Sequence, residues 1–235
     1  MTMPRYAFEP SPQVSVAVKG RAERFPVHRV YCIGRNYEAH VREMGHDPDR
    51  SPPIFFCKPA DAVLEVADGQ EGRFPYPAGT VCCHHEIELV IAIGQGGCDI
   101  AQSDAHRHIF GYAIGLDMTR RDLQRAAAKA GQPWEVGKAF DASAPIGPIH
   151  PIEETGVLES GAISLQVDGR PRQEAGLSQL IWRVDETIAA LSRLFELKPG
   201  DLIYSGTPEG VGEVERGNLM VGRIDGLGEL HVRVR

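Results

Sequence analysis

Two glutamates separated by one residue are the feature of this sequence with the clearest chemical meaning. Glu86 and Glu88 lie in the run 84–94, which is otherwise rich in β-branched and aliphatic residues and therefore predicts a strand. Residues i and i+2 of a strand share a face, so both carboxylates point the same way. Adjacent carboxylates repel each other unless a cation lies between them, and oxygen ligands suit Mg²⁺, Mn²⁺ or Ca²⁺. The run predicts a metal site.

An edge strand with one solvated face is the alternative interpretation of the same pattern. It accounts for Glu86 and Glu88, but Val90 and Ala92 continue that face as apolar residues. Carboxylates on a face suited to a protein core are uncommon unless they are paired or bind a metal. The pattern as a whole favours the metal.

A histidine and a glutamate three residues apart form a second candidate for chemistry. We predict a short helix that Asn36 caps and that runs through Met44, with Gly45 as its stop. His40 and Glu43 then lie on one helix face. On the residues alone, an ordinary surface pair is the better interpretation; a carboxylate that orients a catalytic histidine is the alternative.

Two further helices are predicted. A capping box of Thr119 and Asp122 begins the first, which ends near Ala130 before Gly131. Arg121 and Gln124 share a face of that helix. The second is capped by Asp185, and its apolar face comprises Ile188, Leu191, Leu194 and Phe195.

Short β-strands account for most of the remaining pattern. Strands are expected at 27–33, 54–57, 109–116 and 202–204. A hairpin is predicted at 163–167, turned by Asp168-Gly169. Alternating apolar residues at Leu230, Val232 and Val234 predict a closing strand. The 26 glycines and 17 prolines fit a β-dominated fold with many turns.

Composition excludes several classes of function. A net charge of −7 without a basic cluster gives no basic surface of the kind that binds nucleic acid. No apolar run approaches the roughly 20 residues of a membrane helix. Five cysteines without repeated spacing do not indicate a disulfide framework, so a reducing, cytoplasmic setting is expected.

Three other motifs carry little weight. Four consecutive residues, Cys82 to His85, alternate faces of a strand and cannot all reach one tetrahedral zinc ion. Gly94-Gln95-Gly96-Gly97 matches a dinucleotide loop only in part and is better explained by a tight turn. The loop 205–212 lacks the Lys-Ser/Thr of a P-loop, although its glycines could expose N–H groups to an anion.

Five stretches, taken in order, resemble the fumarylacetoacetate hydrolase family. Each is weak alone, but five in the same order are specific, and they extend from about residue 30 to the C-terminus. They are Cys32-Ile33-Gly34-Arg35-Asn36-Tyr37, the run 84–94, the segment 111–124, Gly137-Lys138-Ala139-Phe140-Asp141 and Ser205-Gly206-Thr207-Pro208.

The resemblance implies a fold and a domain organisation. The expected fold is mainly β with a few helices, a mixed β-sandwich roll of the family's C-terminal-domain type. Residues 1–26 are expected to be an N-terminal lead-in, and 27–235 a single catalytic domain with a lid at about 36–53. A homodimer with one Mg²⁺ or Mn²⁺ per subunit is also implied.

The resemblance also assigns roles to residues. Three carboxylates are implied as metal ligands, a His–Glu dyad and a lysine as catalytic groups, and four further residues as substrate contacts. The metal ligands are Glu86, Glu88 and Asp117; the catalytic residues are His40, Glu43 and Lys138; the substrate-binding residues are Arg35, Arg121, Gln124 and Thr207.

The lid segment is most similar to family members that hydrolyse fumarylpyruvate in the gentisate pathway. The resemblance therefore implies metal-dependent hydrolysis of a C–C bond in a 2,4-diketo acid, most specifically 3-fumarylpyruvate to fumarate and pyruvate. Acylpyruvase and oxaloacetate decarboxylase activity on the same scaffold are the alternatives. A binder of a metal or a small acid without turnover is a third hypothesis, disfavoured by the dyad and Lys138.

Overall fold

Strands account for most of the regular structure in the computed structural model, which describes residues 5–45 and 51–235. In chain order the strands are β1 Ser15–Ala17, β2 Arg24–Pro26, β3 Val30–Gly34, β4 Ile54–Lys58, β5 Val63–Glu65, β6 Glu71–Phe74, β7 Cys83–His85, β8 Ile87–Ile93, β9 Ile109–Leu116, β10 Thr119–Arg120, β11 Ala144–Ile146, β12 His150–Pro151, β13 Ala162–Val167, β14 Arg170–Gly176, β15 Leu202–Tyr204, β16 Gly212–Glu213, β17 Leu219–Ile224 and β18 Gly228–Val234. The α-helices are α1 Glu38–Glu43, α2 Arg121–Lys129, α3 Glu135–Lys138, α4 Ile152–Thr155 and α5 Val184–Ser192. The predicted class, mainly β with a few helices, is confirmed. Residues 46–50 of the predicted lid lie outside the described residues.

An eight-stranded mixed sheet places β8 in its interior. The strand order is β4-β3-β15-β8-β9-β11-β5, and β12 pairs with β9 outside this path. All seven residues of β8 are buried. Its side chains join two hydrophobic clusters on opposite faces, with Leu89 and Ile91 in one and Val90 and Ala92 in the other. The edge-strand alternative for Glu88 is therefore wrong.

A five-stranded sheet in the order β14-β13-β17-β18-β6 contributes to one of these clusters. The predicted closing strand is confirmed as β18, where Leu230, Val232 and Val234 are buried. The predicted hairpin is confirmed as β13 and β14, and Asp168 (φ 49°) and Gly169 (φ 74°) both adopt the left-handed conformation of a tight two-residue turn. The remaining strands form a three-stranded sheet, β10-β7-β16, and the pair β1-β2.

The strand pair β1-β2 lies within the predicted N-terminal lead-in. Its side chains pack in the same hydrophobic cluster as Val90, with Val16 fully buried and Phe25 nearly so. Among the described helices, none has the length and apolar composition that a membrane span requires.

The predicted cap of the first helix is wrong. α1 begins at Glu38 with Tyr37 as its N-cap, because the side chain of Asn36 bonds to distant backbone instead. Asn36 Nδ2 donates to the carbonyl oxygens of Trp182 (2.9 Å) and Ser205 (2.8 Å), and Oδ1 accepts the N–H of Trp182 (2.7 Å). The predicted stop at Gly45 is confirmed, since this residue follows α1 with φ 80°.

The predicted capping box of α2 is also wrong. The hydroxyl of Thr119 donates to the carbonyl of Asp117 at 3.1 Å, and the Asp122 carboxylate accepts the N–H of Val81 at 3.2 Å. Thr119 thus bonds within the turn that precedes α2, and Asp122 joins the first turn of α2 to the segment before β7. The end of the helix is as predicted, with Gly131 at φ 65°.

The last helix, α5, is shorter than its apolar pattern predicts. Arg183 is the N-cap, and Asp185 lies in the first turn. Ile188 and Leu191 are buried as expected, whereas Leu194 is 65% and Phe195 40% exposed. The helix ends at Ser192, so these last two side chains no longer follow the helical period.

Candidate active site

All ten predicted site residues line one cavity of about 480 Å³. The cavity is bounded by α1, α2 and α3, by the end of β3 and by the start of β8. Residues that sequence reasoning assigned to a metal, a base and a substrate site are therefore brought together in one place. They are Arg35, His40, Glu43, Glu86, Glu88, Asp117, Arg121, Gln124, Lys138 and Thr207.

Strand register brings three carboxylates to the floor of this cavity. Glu86 lies between β7 and β8, Glu88 is the second residue of β8, and Asp117 directly follows β9. The antiparallel pairing sets Ile87 opposite Leu116, and the N–H of Asp117 donates to the carbonyl of Glu86 at 2.9 Å. One oxygen from each carboxylate lies within 4.8 Å of the others, and all three side chains are buried.

Buried basic groups surround these acids. Lys138 Nζ lies 2.7 Å from Glu86 Oε2 and 2.6 Å from Asp117 Oδ2, and Arg121 contacts the other oxygen of Glu86. Lys58 Nζ lies 2.7 Å from Asp117 Oδ1. Three acids and three bases make the formal charge of the group zero, so a divalent cation would make it +2. A metal-loaded site of this kind attracts an anionic substrate.

The electrostatics differ sharply between the two glutamates. Burial raises the pKa of Glu86, but the charges of Lys138 and Arg121 outweigh it and hold that pKa below its ordinary range. Burial and the neighbouring charges of Asp117 and Glu86 raise the pKa of Glu88 well above its ordinary value. A carboxylate in this position is one that a cation would stabilise.

The donor set fits a hard divalent cation. Asp117 Oδ1 is buried and accepts no hydrogen bond from the described residues, although Lys58 is adjacent. Glu88 Oε2 accepts the N–H of Gly206 at 2.7 Å, which fixes the orientation of that carboxylate. Three carboxylates leave octahedral positions for water and substrate. The residues could hold Mg²⁺ or Mn²⁺.

The predicted histidine–glutamate pair forms on α1. His40 Nδ1 lies 3.1 Å from Glu43 Oε2, and only 6% of the His40 surface is exposed. Both oxygens of Glu43 also accept the N–H of Gly210, at 3.1 and 3.2 Å. The loop 205–210 therefore contacts a metal-site carboxylate through Gly206 and the dyad through Gly210.

The predicted substrate-binding residues differ in how many of their polar atoms already form hydrogen bonds within the protein. Arg121 Nη1 donates to Gln124 Oε1 at 3.1 Å, which confirms that the two share a face of α2. The hydroxyl of Thr207 donates to the carbonyl of Ile87 (2.7 Å) and accepts from Gln173 (2.8 Å), so it is fixed within the wall. Arg35 adopts a left-handed conformation at φ 60°, which is uncommon outside glycine.

Close packing of two helices places Lys138. A Cβ atom at Gly137 would lie 2.7 Å from Cβ of Gln124, so the absence of a side chain allows α3 to lie directly against α2. Lys138, the next residue, is thereby held at the carboxylates.

Sequence reasoning missed Lys58 as a site residue. Its side chain is fully buried at the end of β4, and Nζ donates to the carbonyl of Met118 at 3.3 Å besides its ion pair with Asp117. A lysine at the end of an apolar strand, directly before Pro59, was the available signal. Fully buried lysines are rare without an acidic partner.

Gln173 was also missed. From β14 its Oε1 accepts the N–H of Ile87 at 3.1 Å and lies 3.0 Å from His85 Nδ1. Its Nε2 donates to Thr207 Oγ1 and to the carbonyl of Pro208, both at 2.8 Å. This amide connects Ile87, the residue between the two glutamates, with the loop after β15. Nothing in the polar sequence of β14 marks it out.

Comparison with known proteins shows the family of the chain. The model of the fumarylacetoacetate (FAA) hydrolase C-terminal family matches residues 29–235. The chain belongs to this family. Among its members, a fumarylpyruvate hydrolase of Ralstonia sp is 42% identical over 193 residues, which cover 81% of this chain and 98% of that protein. An oxaloacetate tautomerase of Escherichia coli is 38% identical over 203 residues, covering 86% and 90%.

A solved structure of the family is similar over nearly the whole chain. The crystal structure of fumarylpyruvate hydrolase from Pseudomonas aeruginosa, in complex with Mn²⁺ and pyruvate, superposes with a TM-score of 0.96. Its sequence is 60% identical, and the match covers 98% of this chain and 99% of that one. The expected family and fold are confirmed.

Proposed function

We propose that this protein hydrolyses a C–C bond in a 2,4-diketo acid, converting 3-fumarylpyruvate to fumarate and pyruvate with Mg²⁺ or Mn²⁺. The observation that carries the proposal is the convergence of Glu86, Glu88 and Asp117 with Lys138 and the His40–Glu43 pair in one cavity. The similarity to a Pseudomonas aeruginosa fumarylpyruvate hydrolase that binds Mn²⁺ and pyruvate supports it.

The three carboxylates are proposed as the metal ligands. When bound, the cation supplies Lewis-acid polarisation of the 2-oxo group. Lys138 is proposed to stabilise oxyanion charge that develops on the substrate. Burial lowers the pKa of Lys138, but the charges of Asp117 and Glu86 outweigh this and raise it, so the ammonium form persists in the site.

His40 is proposed as the general base. Its Nδ1 faces Glu43, so a proton on Nδ1 leaves Nε2 as the acceptor for a proton from water. The water oxygen bonds to C4 of the substrate, and the C3–C4 bond breaks. Its electron pair passes to the three-carbon fragment, which gains a proton at C3 to give pyruvate, while the other fragment leaves as fumarate.

The remaining residues are proposed to hold the substrate. Arg121 and Gln124 bind its oxygens, and Thr207 with the N–H groups of its loop binds the carboxylate at C1. Arg35 supports the site from the cavity wall.

We further propose that 36–53 acts as a lid over a single catalytic domain. We also propose that the protein is a cytoplasmic homodimer that acts in the gentisate pathway. Light scattering would test the dimer.

Oxaloacetate tautomerisation is a second candidate function. Oxaloacetate tautomerases of Escherichia coli and Mus musculus are 38% and 34% identical to this chain over most of their length. Tautomerisation needs the same polarised 2-oxo group and a proton shuttle at C3, but no attack by water. It therefore predicts that enol-oxaloacetate converts to the keto form while fumarylpyruvate is not cleaved.

The deciding experiment is a spectrophotometric assay of the purified protein with Mg²⁺ or Mn²⁺. Fumarylpyruvate is followed by its enol absorbance, fumarate and pyruvate are quantified, and Glu88→Gln serves as the blank. Metal-dependent loss with equal amounts of both products is expected. Loss of absorbance without either product would overturn the hydrolase in favour of the tautomerase.

A further inference from the structure

Three basic side chains line the cavity without contributing to the pairing of the carboxylates. Arg35, Arg125 and Lys129 are all lining residues, and Arg125 and Lys129 are exposed. Within the part of the chain that the structure describes, none of the three forms an ion pair. The chain as a whole carries a net charge of −7, so these three positive side chains are opposite in sign to the net charge of the protein.

Helix α2 arranges two of these groups in a row that leads away from the metal site. Arg121 contacts Glu86, and Arg125 and Lys129 follow at intervals of four residues on the same helix face. Four residues advance an α-helix by about 6 Å. The row therefore extends one and two helical turns beyond Arg121, and Ala128 also lines the cavity.

The residue that follows β3 supplies the third group. Arg35 follows β3 and lines the same cavity in its left-handed conformation. The three inner acids are already balanced by Lys58, Lys138 and Arg121. The outer three cations are therefore not needed to balance these three acids. The fourth carboxylate of the cavity, Glu43, is held by His40 and the N–H of Gly210, so the outer cations are left for an organic acid that enters the cavity.

We propose that Arg125, Lys129 and Arg35 bind a second carboxylate, the one at the far end of the acyl group. This deepens the proposed function and rests on it. An extended seven-carbon acid with bonds near 1.5 Å spans about 7–8 Å between its terminal carbons. With its pyruvoyl end at the metal site, its far carboxylate reaches the first or second turn beyond Arg121. Arg125 offers a planar fork suited to two carboxylate oxygens, and Lys129 adds a point charge.

The consequence is selectivity by charge at the far end of the substrate. Fumarylpyruvate carries a second carboxylate, whereas acetylpyruvate has the same 2,4-diketo acid and a methyl group instead. The double variant Arg125→Gln/Lys129→Gln is expected to lower the ratio of kcat/KM for fumarylpyruvate to that for acetylpyruvate by about 10- to 100-fold. Most of the change should lie in KM for fumarylpyruvate, and added salt should reduce the ratio in the wild type.

Two further variants sharpen the test. Arg193→Gln removes the same charge at the end of α5, where the side chain is exposed and does not line the cavity, and should leave the ratio as it is in the wild type. Arg125→Lys keeps the positive charge but lacks the planar guanidinium group, so its selectivity should lie between that of the wild type and that of the double variant. An unchanged ratio in the double variant would overturn the proposal while leaving the hydrolase intact.

A binding measurement separates this proposal from the proposed function. If the wild type turns over neither diketo acid, the hydrolase fails, and calorimetric titration of Mn²⁺-loaded protein with fumarate still decides the second carboxylate site. Fumarate should bind the double variant about 10-fold or more weakly than the wild type. Equal binding, or no binding to the wild type, would refute the site.

Discussion

Glu88→Gln is expected to stabilise the metal-free protein while abolishing its metal-dependent activity. Glu88 is buried with oxygens of Glu86 and Asp117 within 4.8 Å, and like charges at that separation repel by about 3 kcal/mol at an effective dielectric constant of about 20. Lys138 contacts Glu86 and Asp117, whereas the hydrogen bond to Glu88 comes from the neutral N–H of Gly206. Glutamine keeps an acceptor for that N–H and carries no charge.

The sign of the effect follows from the raised pKa of Glu88. Below its ordinary pKa of 4.5, the carboxyl is protonated in both the folded and the unfolded chain. Above it, the unfolded chain releases the proton first, so the free energy of unfolding of the wild type falls by about 1.4 kcal/mol per pH unit until the raised pKa is reached. The stability advantage of Glu88→Gln should therefore grow as the pH rises above 4.5.

Urea unfolding with EDTA at pH 5, 6 and 7 measures this difference. Glu174→Gln, the same change at an exposed position, is the control and should show no such trend. Adding Mn²⁺ at about 100 times its Kd should stabilise the wild type by about 2.7 kcal/mol and leave Glu88→Gln unchanged. A variant that is less stable than the wild type at every pH in EDTA would refute the reasoning.

Three other substitutions test separate parts of the site. His40→Ala should lower kcat for fumarylpyruvate by about 10²–10⁴-fold and leave the Mn²⁺ affinity within a few-fold by calorimetry; equal loss of both would contradict its role as a base. Gln173→Leu should weaken Mn²⁺ binding by about 10-fold or more and reduce the free energy of unfolding by about 2–4 kcal/mol in urea, because it leaves the N–H of Ile87 without its side-chain acceptor and the hydroxyl of Thr207 without the donor that Gln173 supplies. Gly206→Ala should lower the Tm and the activity together, since its Cβ would lie 2.6 Å from Cβ of Asn36 at a φ of 91°; an unchanged Tm would show that the loop relaxes freely.

Period and local chemistry explain what could be predicted from the sequence. The two-residue period of a strand correctly placed Glu86 and Glu88 together, and the i,i+3 spacing of a helix correctly placed His40 beside Glu43. Neither rule relates one of these pairs to the other. Their meeting in one cavity, and the arrival of Asp117 beside the glutamates, depend on strand register, for which the family resemblance rather than periodicity was the guide.

The errors share a physical cause. Asn36, Thr119 and Asp122 have the residue types of helix caps, but each side chain bonds to backbone that is brought close by the tertiary fold or by a neighbouring turn. Capping preferences describe competition within one turn of chain, and a hydrogen-bond partner outside the helix can outweigh them. Gln173 was missed for the same reason, because all four of its partners lie in distant segments.

The balance of Lys58, Lys138 and Arg121 against three acids has a consequence for how the enzyme is assembled. Many small metalloproteins fold only when their metal ion binds, because their ligand side chains cannot be buried together without it. Here the polypeptide carries its own counter-ions, so it can complete its fold before it meets any metal. We therefore expect metal loading to follow folding as a separate step, in which the supply of magnesium and manganese decides which ion the folded protein takes up.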